Sequence, residues 1–202
     1  MKRIGKLAVA LSLLACGGAA AAAPGDIIVR ARALGVLPDV SASGTLDAIN
    51  ADVDNNVVPE LDFTYMFTDN IGAELILATT RNKVTTSAFG GVGKVSLLPP
   101  TVTLQYHFNP AGKVRPYAGA GLNFTYFYDN GLAAGGQDIG IEHTSFGPAL
   151  QAGVDVQINK DWFVNADVKK IWIRTDASLG GADIGRLRID PWIVGIGVGR
   201  RF

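Results

Sequence analysis

From Asp26 to Phe202 the side chains alternate again and again between large apolar residues and polar or small ones. A period of two is the period of a β-strand, so this pattern restricts the chain to strands more than any other feature does. It is plainest in the last segment. Trp192, Val194, Ile196, Val198, Arg200 and Phe202 fall on one face, and Ile193, Gly195, Gly197, Gly199 and Arg201 on the other. A water-soluble sheet turns its apolar face to a core and its polar face to solvent. Here the second face is mostly glycine, which suits a crowded or narrow interior. A terminal aromatic closing an alternating strand is how outer-membrane β-barrels end. The segment therefore reads as a closing strand, and the rest of the chain must supply the other staves.

Seven further alternating segments do so. They run over 26–37, 57–67, 71–80, 97–108, 115–128, 146–158 and 162–175, and the closing strand makes eight. Pro99-Pro100 is expected at the start of the fourth, because proline cannot serve the interior of a ladder. Polar, Gly-, Ser- and Asn-containing stretches at 38–56, 81–96, 129–145 and 176–186 read as long loops; 68–70, 109–114 and 159–161 read as short turns. Long and short connections alternate, as expected for a barrel with outer loops and periplasmic turns, which places both ends of the mature chain in the periplasm. Aromatic residues gather near strand ends, among them Tyr65, Phe67, Tyr106, Phe108, Tyr126, Tyr128, Trp162, Trp172, Trp192 and Phe202, as interfacial girdles would.

The N-terminus supports export. Met1 to Lys6 is basic, Leu7 to Ala15 is apolar, and Ala19 to Ala23 offers small residues for cleavage. The expected organisation is a signal peptide at 1–22 and an eight-stranded outer-membrane β-barrel at 23–202. Cys16 is the single cysteine and belongs to the signal, either as an inert residue or as an acylated lipoprotein cysteine, so the mature chain has no disulfide. Lys+Arg and Asp+Glu both number 18, so no charge excess points to nucleic acid. Mean hydropathy is +0.24, yet no apolar run after the signal reaches the roughly 18 residues a spanning helix needs. A soluble lipocalin-like barrel would invert the faces, with the large apolar residues inside. The terminal Phe202, the signal and the girdle positions favour the membrane barrel.

At this point the residues resemble the OmpW family of small outer-membrane barrels. The matching segments are 61–75, Leu98-Pro-Pro-Thr101, 115–123, Phe127-Tyr-Asp-Asn-Gly131, Asn159-Lys-Asp-Trp162 and Arg188-Ile-Asp-Pro-Trp192, in order over most of the mature chain. The resemblance implies an all-β, eight-stranded antiparallel transmembrane barrel. It also implies a narrow channel with an apolar interior that passes small hydrophobic molecules out through the barrel wall, with no enzyme chemistry and no cofactor. Ile76 fits a family position where an apolar side chain narrows the lumen. Lys169 stands where the family pattern has tryptophan, and Arg200 where the terminal assembly signal usually has an aromatic.

The inferred inward face holds Arg30, Arg32, Lys169, Glu60, Asp62, Glu74, Asp155 and Asp167. Isolated charges in so narrow a space are costly, so these should pair or meet water. Two readings stay open: a polar plug that holds the barrel rigid, and a partly apolar passage. The candidate pathway residues are Ile28, Met66, Glu74, Ile76, Phe127, Phe163, Asp167, Lys169 and Ile171. Ile76 is the best constriction candidate, with Phe127 and Met66 as its neighbours, and Lys169 needs a carboxylate such as Glu74 or Asp167. Phe202 is the candidate assembly signal. His107 and His143 lack a nucleophile in motif context, and two distant histidines build no metal site. The expected partners are outer-membrane lipid, small hydrophobic molecules and the barrel-assembly machinery. A structural or receptor barrel acting through its outer loops is the alternative.

Overall fold

The computed structural model describes residues 23–202; the signal segment 1–22, with Cys16, lies outside the described residues. In chain order the elements are β1 (Ile27–Leu37), β2 (Ser41–Ala42), α1 (Thr45–Ala48), β3 (Asp52–Val53), β4 (Asn56–Met66), β5 (Ile71–Ala78), β6 (Thr80–Thr86), β7 (Gly90–Leu98) and β8 (Thr101–His107). They continue with β9 (Val114–Tyr128), β10 (Ala133–Ala134), β11 (Gln137–Ile141), β12 (Thr144–Gln157), β13 (Trp162–Ile171), β14 (Arg174–Leu179), β15 (Ala182–Arg188) and β16 (Trp192–Arg201).

Eight antiparallel staves, β1, β4, β5, β8, β9, β12, β13 and β16, pair in sequence around a closed barrel. Closure runs from Ile28↔Arg201 to Leu37↔Trp192, so the closing strand pairs along nearly all of β1. The faces follow the alternation. Leu104, Leu122, Val194 and Ile196 point outward and are exposed, while Arg30, Asp62, Glu74 and Asn165 point inward and are buried. This is the arrangement lipid requires and the reverse of a lipocalin-like barrel.

Two segments expected to be loops are β-structure. Residues 81–96 lie within the hairpin β6–β7, and 176–186 lie within the hairpin β14–β15. Pro99-Pro100 stand between β7 and β8, immediately before Thr101, at the start of the stave as expected. Each hairpin carries a register shift, at Val84/Thr85 and at Ala177/Ser178. Opposite each shift stands a glycine with positive φ, Gly93 at 134° and Gly185 at 122°. A β-carbon on Gly93 would strike the carbonyl of Gly131, and one on Gly185 that of Ser43. Glycine thus lets each hairpin bend against a neighbouring connection.

Outward aromatics form two belts. Tyr65, Phe67, Tyr106, Phe108, Trp162 and Phe202 ring the short-turn end, and Phe124, Tyr126, Tyr128, Phe146 and Trp192 the long-loop end. From Trp192 to Phe202 the stave takes ten steps of about 3.3 Å; at a tilt of about 40° these cover about 25 Å, the height of a membrane-spanning apolar band.

Candidate functional site

The lumen has two compartments. Toward the turn end, Arg30 and Arg32 of β1 reach across the barrel axis. Arg30 donates Nη1 to Asp62 at 3.1 Å and holds Asp155 through Nε and Nη2 at 3.2 and 2.8 Å. Arg32 donates Nη1 to Asp167 at 2.9 Å, and its Nη2 lies 2.7 Å from Asp62 and 3.2 Å from Glu74. Its Nε donates to Glu60. Lys169 Nζ lies 3.0 Å from Glu60 and 2.8 Å from Asp167. Neutral groups fill the gaps: Asn165 donates to Asp155 at 2.7 Å and to the Tyr117 hydroxyl at 3.0 Å, and Thr103 donates to Glu74 at 3.0 Å.

These partners come from β1, β4, β5, β8, β9 and β13 and from β12, so the network joins nearly every stave. The glycines of β16 make room for it. A β-carbon on Gly197 would strike Ala31 and Arg32, and one on Gly199 would strike Phe163. Burying so many charges is tolerable only because nearly every lone pair and proton finds a partner.

Toward the loop end the lumen is apolar and open. A cavity of about 150 Å³ is walled by aliphatic side chains such as Leu34, Val36, Val58, Val95, Ile171 and Ile173, with Phe127 among them. Ile76, Thr101, Glu60 and Lys169 also line it. Glu60 and Lys169 belong to both compartments, so the cup's floor is the top of the plug. The connections raise the cup's wall beyond the membrane: Leu46 of α1, Ala51, Val53, Leu132 and Ile139 are all buried in the same apolar cluster.

The sequence-derived pathway residues thus separate. Ile76, Phe127 and Ile171 line the cup, and Lys169 stands at its floor. Glu74 and Asp167 sit in the plug. Asp167 and Glu60 neutralise Lys169, while Glu74 faces the two arginines. Ile28, Met66 and Phe163 form a separate apolar cluster at the turn end. Met66 is therefore not a neighbour of Ile76. The register explains why: Met66 pairs with Gly72 at the foot of β5, whereas Ile76 pairs with Asp62.

Sequence reasoning missed much of the cup wall, including Val84, Val95 and Leu97 from β6–β7 and Leu187 and Ile189 near β15. Extending the period-two count into 81–96 would have found Val84 and Val95; Leu97 already lay in the fourth segment, and Leu187 and Ile189 lay past the loop at 176–186. His107 is buried at the turn end, with Nε2 3.2 Å from the Gln105 amide oxygen and its ring against Tyr117. Among the described residues no group of three or more His, Cys, Asp or Glu side chains is placed to hold a metal. Phe202 is exposed beside Arg200, and its backbone exchanges hydrogen bonds with Ile27.

A family model described as the OmpW family matches residues 23–202. Outer membrane protein W of Salmonella typhimurium is 43% identical over 212 residues, covering 100% of both chains. The dibenzothiophene metabolism operon protein PahQ of Pseudomonas aeruginosa is 32% identical over 160 residues, 76% of this chain and 75% of that protein. The crystal structure of the outer membrane protein OprG from Pseudomonas aeruginosa superposes with a TM-score of 0.79 at 30% identity, over 89% of this chain and 97% of that one.

Proposed function

Since the chain belongs to the OmpW family and is an outer-membrane β-barrel, we propose that its cup receives small hydrophobic molecules from outside the cell, with no chemistry performed on them. The observation that carries this reading is the cavity of about 150 Å³, apolar in its walls and closed beneath by ion pairs. Transfer of apolar surface from water into such walls is worth on the order of 25 cal/mol per Å². A relative named for a dibenzothiophene metabolism operon fits a substrate of aromatic, water-poor character.

The plug blocks the axial route, so the exit is sideways. Ladder pairing between β5 and β8 ends at Ile76↔Thr101 and resumes between β6 and β7 at Thr80↔Leu97. Pro99 and Pro100 between them have no amide hydrogen to donate. Ala78, Thr80, Pro99 and Thr101 also line the cup, so in this reading the exit lies at this stretch, which among the described residues is bridged only by Thr79 Oγ1 donating to the Leu97 carbonyl at 3.3 Å.

In this reading the loop end faces outside. Cysteines placed at Asp47, Gly90, Gly136 or Gly181 then react with an impermeant reagent on intact cells, and cysteines at Asn70 or Lys160 do not. Ile76→Asp places a carboxylate in the cup floor beside Glu60, and the expected result is reduced naphthalene uptake at unchanged levels of folded barrel. Uptake unaffected by that substitution would favour a structural or receptor barrel.

A further inference from the structure

The two loop-end hairpins share a feature that the cup does not use. In β6–β7 the cross-strand partners Lys83 and Lys94 stand directly opposite each other, and in β14–β15 so do Arg174 and Arg188. All four residues are exposed. Like charges directly opposite in an antiparallel pair destabilise it, yet both hairpins place them there. Nearby basic residues are neutralised: Arg81 pairs with Asp129 at 3.2 Å, Lys170 with Asp39 at 3.0 Å, and Arg186 with Asp176. Among the described residues, none of these four has a carboxylate within ion-pair distance.

Their height along the barrel is the second observation. Tyr128 of the loop-end belt is the register partner of Ser96, and Lys94 lies one same-face position beyond Ser96. Arg174 lies one same-face position beyond Trp172, and its backbone amide donates to Ser145, next to the belt residue Phe146. One such step is about 7 Å along a strand. Both cation pairs therefore sit just past the aromatic belt, at the depth where lipid headgroups carry their phosphates.

We propose that the two cation pairs bind the phosphate groups of an anionic glycolipid in the outer leaflet, one pair on each of two separate faces of the barrel. A phosphate bridging Lys83 and Lys94, or held by the forked guanidinium donors of Arg174 and Arg188, turns a repulsive pair into a clamp. The ring of lipid then fixes both hairpins that wall the cup. Outer-leaflet placement rests on the orientation proposed above; the affinity itself does not.

The test is native mass spectrometry of the purified, folded full barrel incubated with lipid A, which carries two phosphates, or with its dephosphorylated form. The native barrel should retain the phosphorylated lipid at least about tenfold better, falling as salt rises. The variant K83Q/K94Q/R174Q/R188Q should lose that preference. The charge-conserving variant K83R/K94R/R174K/R188K should keep it, as should K160Q at the turn end. Heat-modifiable migration on gels checks that each variant is folded. Equal retention of the two lipids by the native barrel, or an undiminished preference in the folded quadruple glutamine variant, would overturn the proposal. Cysteine labelling on cells tests the orientation independently.

Discussion

The two halves of the lumen are built on the same staves, yet one is filled and the other is open. In the turn-side half, Arg30, Arg32 and Lys169 are long enough to cross the lumen, and they meet carboxylates on staves that are not their neighbours, Asp155, Asp167 and Glu60. Glycines on β16 give that layer its width. In the loop-side half the inward residues are short and mostly branched, such as Val36, Val58, Val95 and Ile173, and they line the wall without reaching the centre. The backbone sets the diameter, while side-chain length and charge decide whether a level is closed or hollow. A barrel of eight strands is just wide enough for either outcome.

The sharpest way to break this contrast is Arg32→Leu. It leaves Glu60, Asp62, Glu74 and Asp167 facing one another without their shared cation. Removing one partner of a buried ion pair costs about 3–5 kcal/mol, so chemical unfolding from bilayers should show a loss of that size. Leu104→Arg sets the lipid face against the lumen: a charge at the midplane costs about 2–4 kcal/mol by the same measurement. If Leu104→Arg were neutral, the assignment of faces would fail.

Asp62→Asn is expected to cost less than about 1 kcal/mol, near a single net hydrogen bond. The plug's ion pairs join five carboxylates, Glu60, Asp62, Glu74, Asp155 and Asp167, to three cations, Arg30, Arg32 and Lys169; even with Arg115, buried over the Phe163 ring, carboxylates outnumber cations by one, so removing one negative charge relieves an excess. A cost as large as that of Arg32→Leu would contradict this balance. The smallest effect lies outside the membrane. Hydrogen bonds from Arg186 hold the Asp176 carboxyl below its usual range. Its support of β14–β15 is therefore complete above the ordinary carboxylate range and is lost as pH falls through the lowered one. Amide exchange in that hairpin should quicken slightly on acidification, and Asp176→Asn should flatten the response.

Much of this was legible in the sequence because period two holds without interruption through the membrane band. Leu104, Val194 and Ile196 fell on the lipid face, and every charged plug residue fell on the lumen face, by counting alone. The hairpins were not legible for a physical reason. Past the aromatic belt the outward face leaves the hydrocarbon, so Arg81, Lys83 and Lys94 replace the apolar side chains expected there, and the segment looks like a loop. Its inward Val84, Val95 and Leu97 still alternate. Nor could counting show which charges meet across the barrel. Arg32 and Asp167 are 135 residues apart and lie on staves that are not neighbours, so their meeting depends on the stagger of the whole barrel.

The division of the lumen into an apolar cup and a closed plug is tested most directly by methyl-resolved NMR of the reconstituted barrel titrated with naphthalene. Saturable shifts are expected at the methyl groups of Ile76, Ile171 and Ile173, which line the cup, and none at Ile28 or Met66 beyond the plug. Shifts at Ile28 and Met66 of equal size, or no saturable shift at Ile76, would contradict that division.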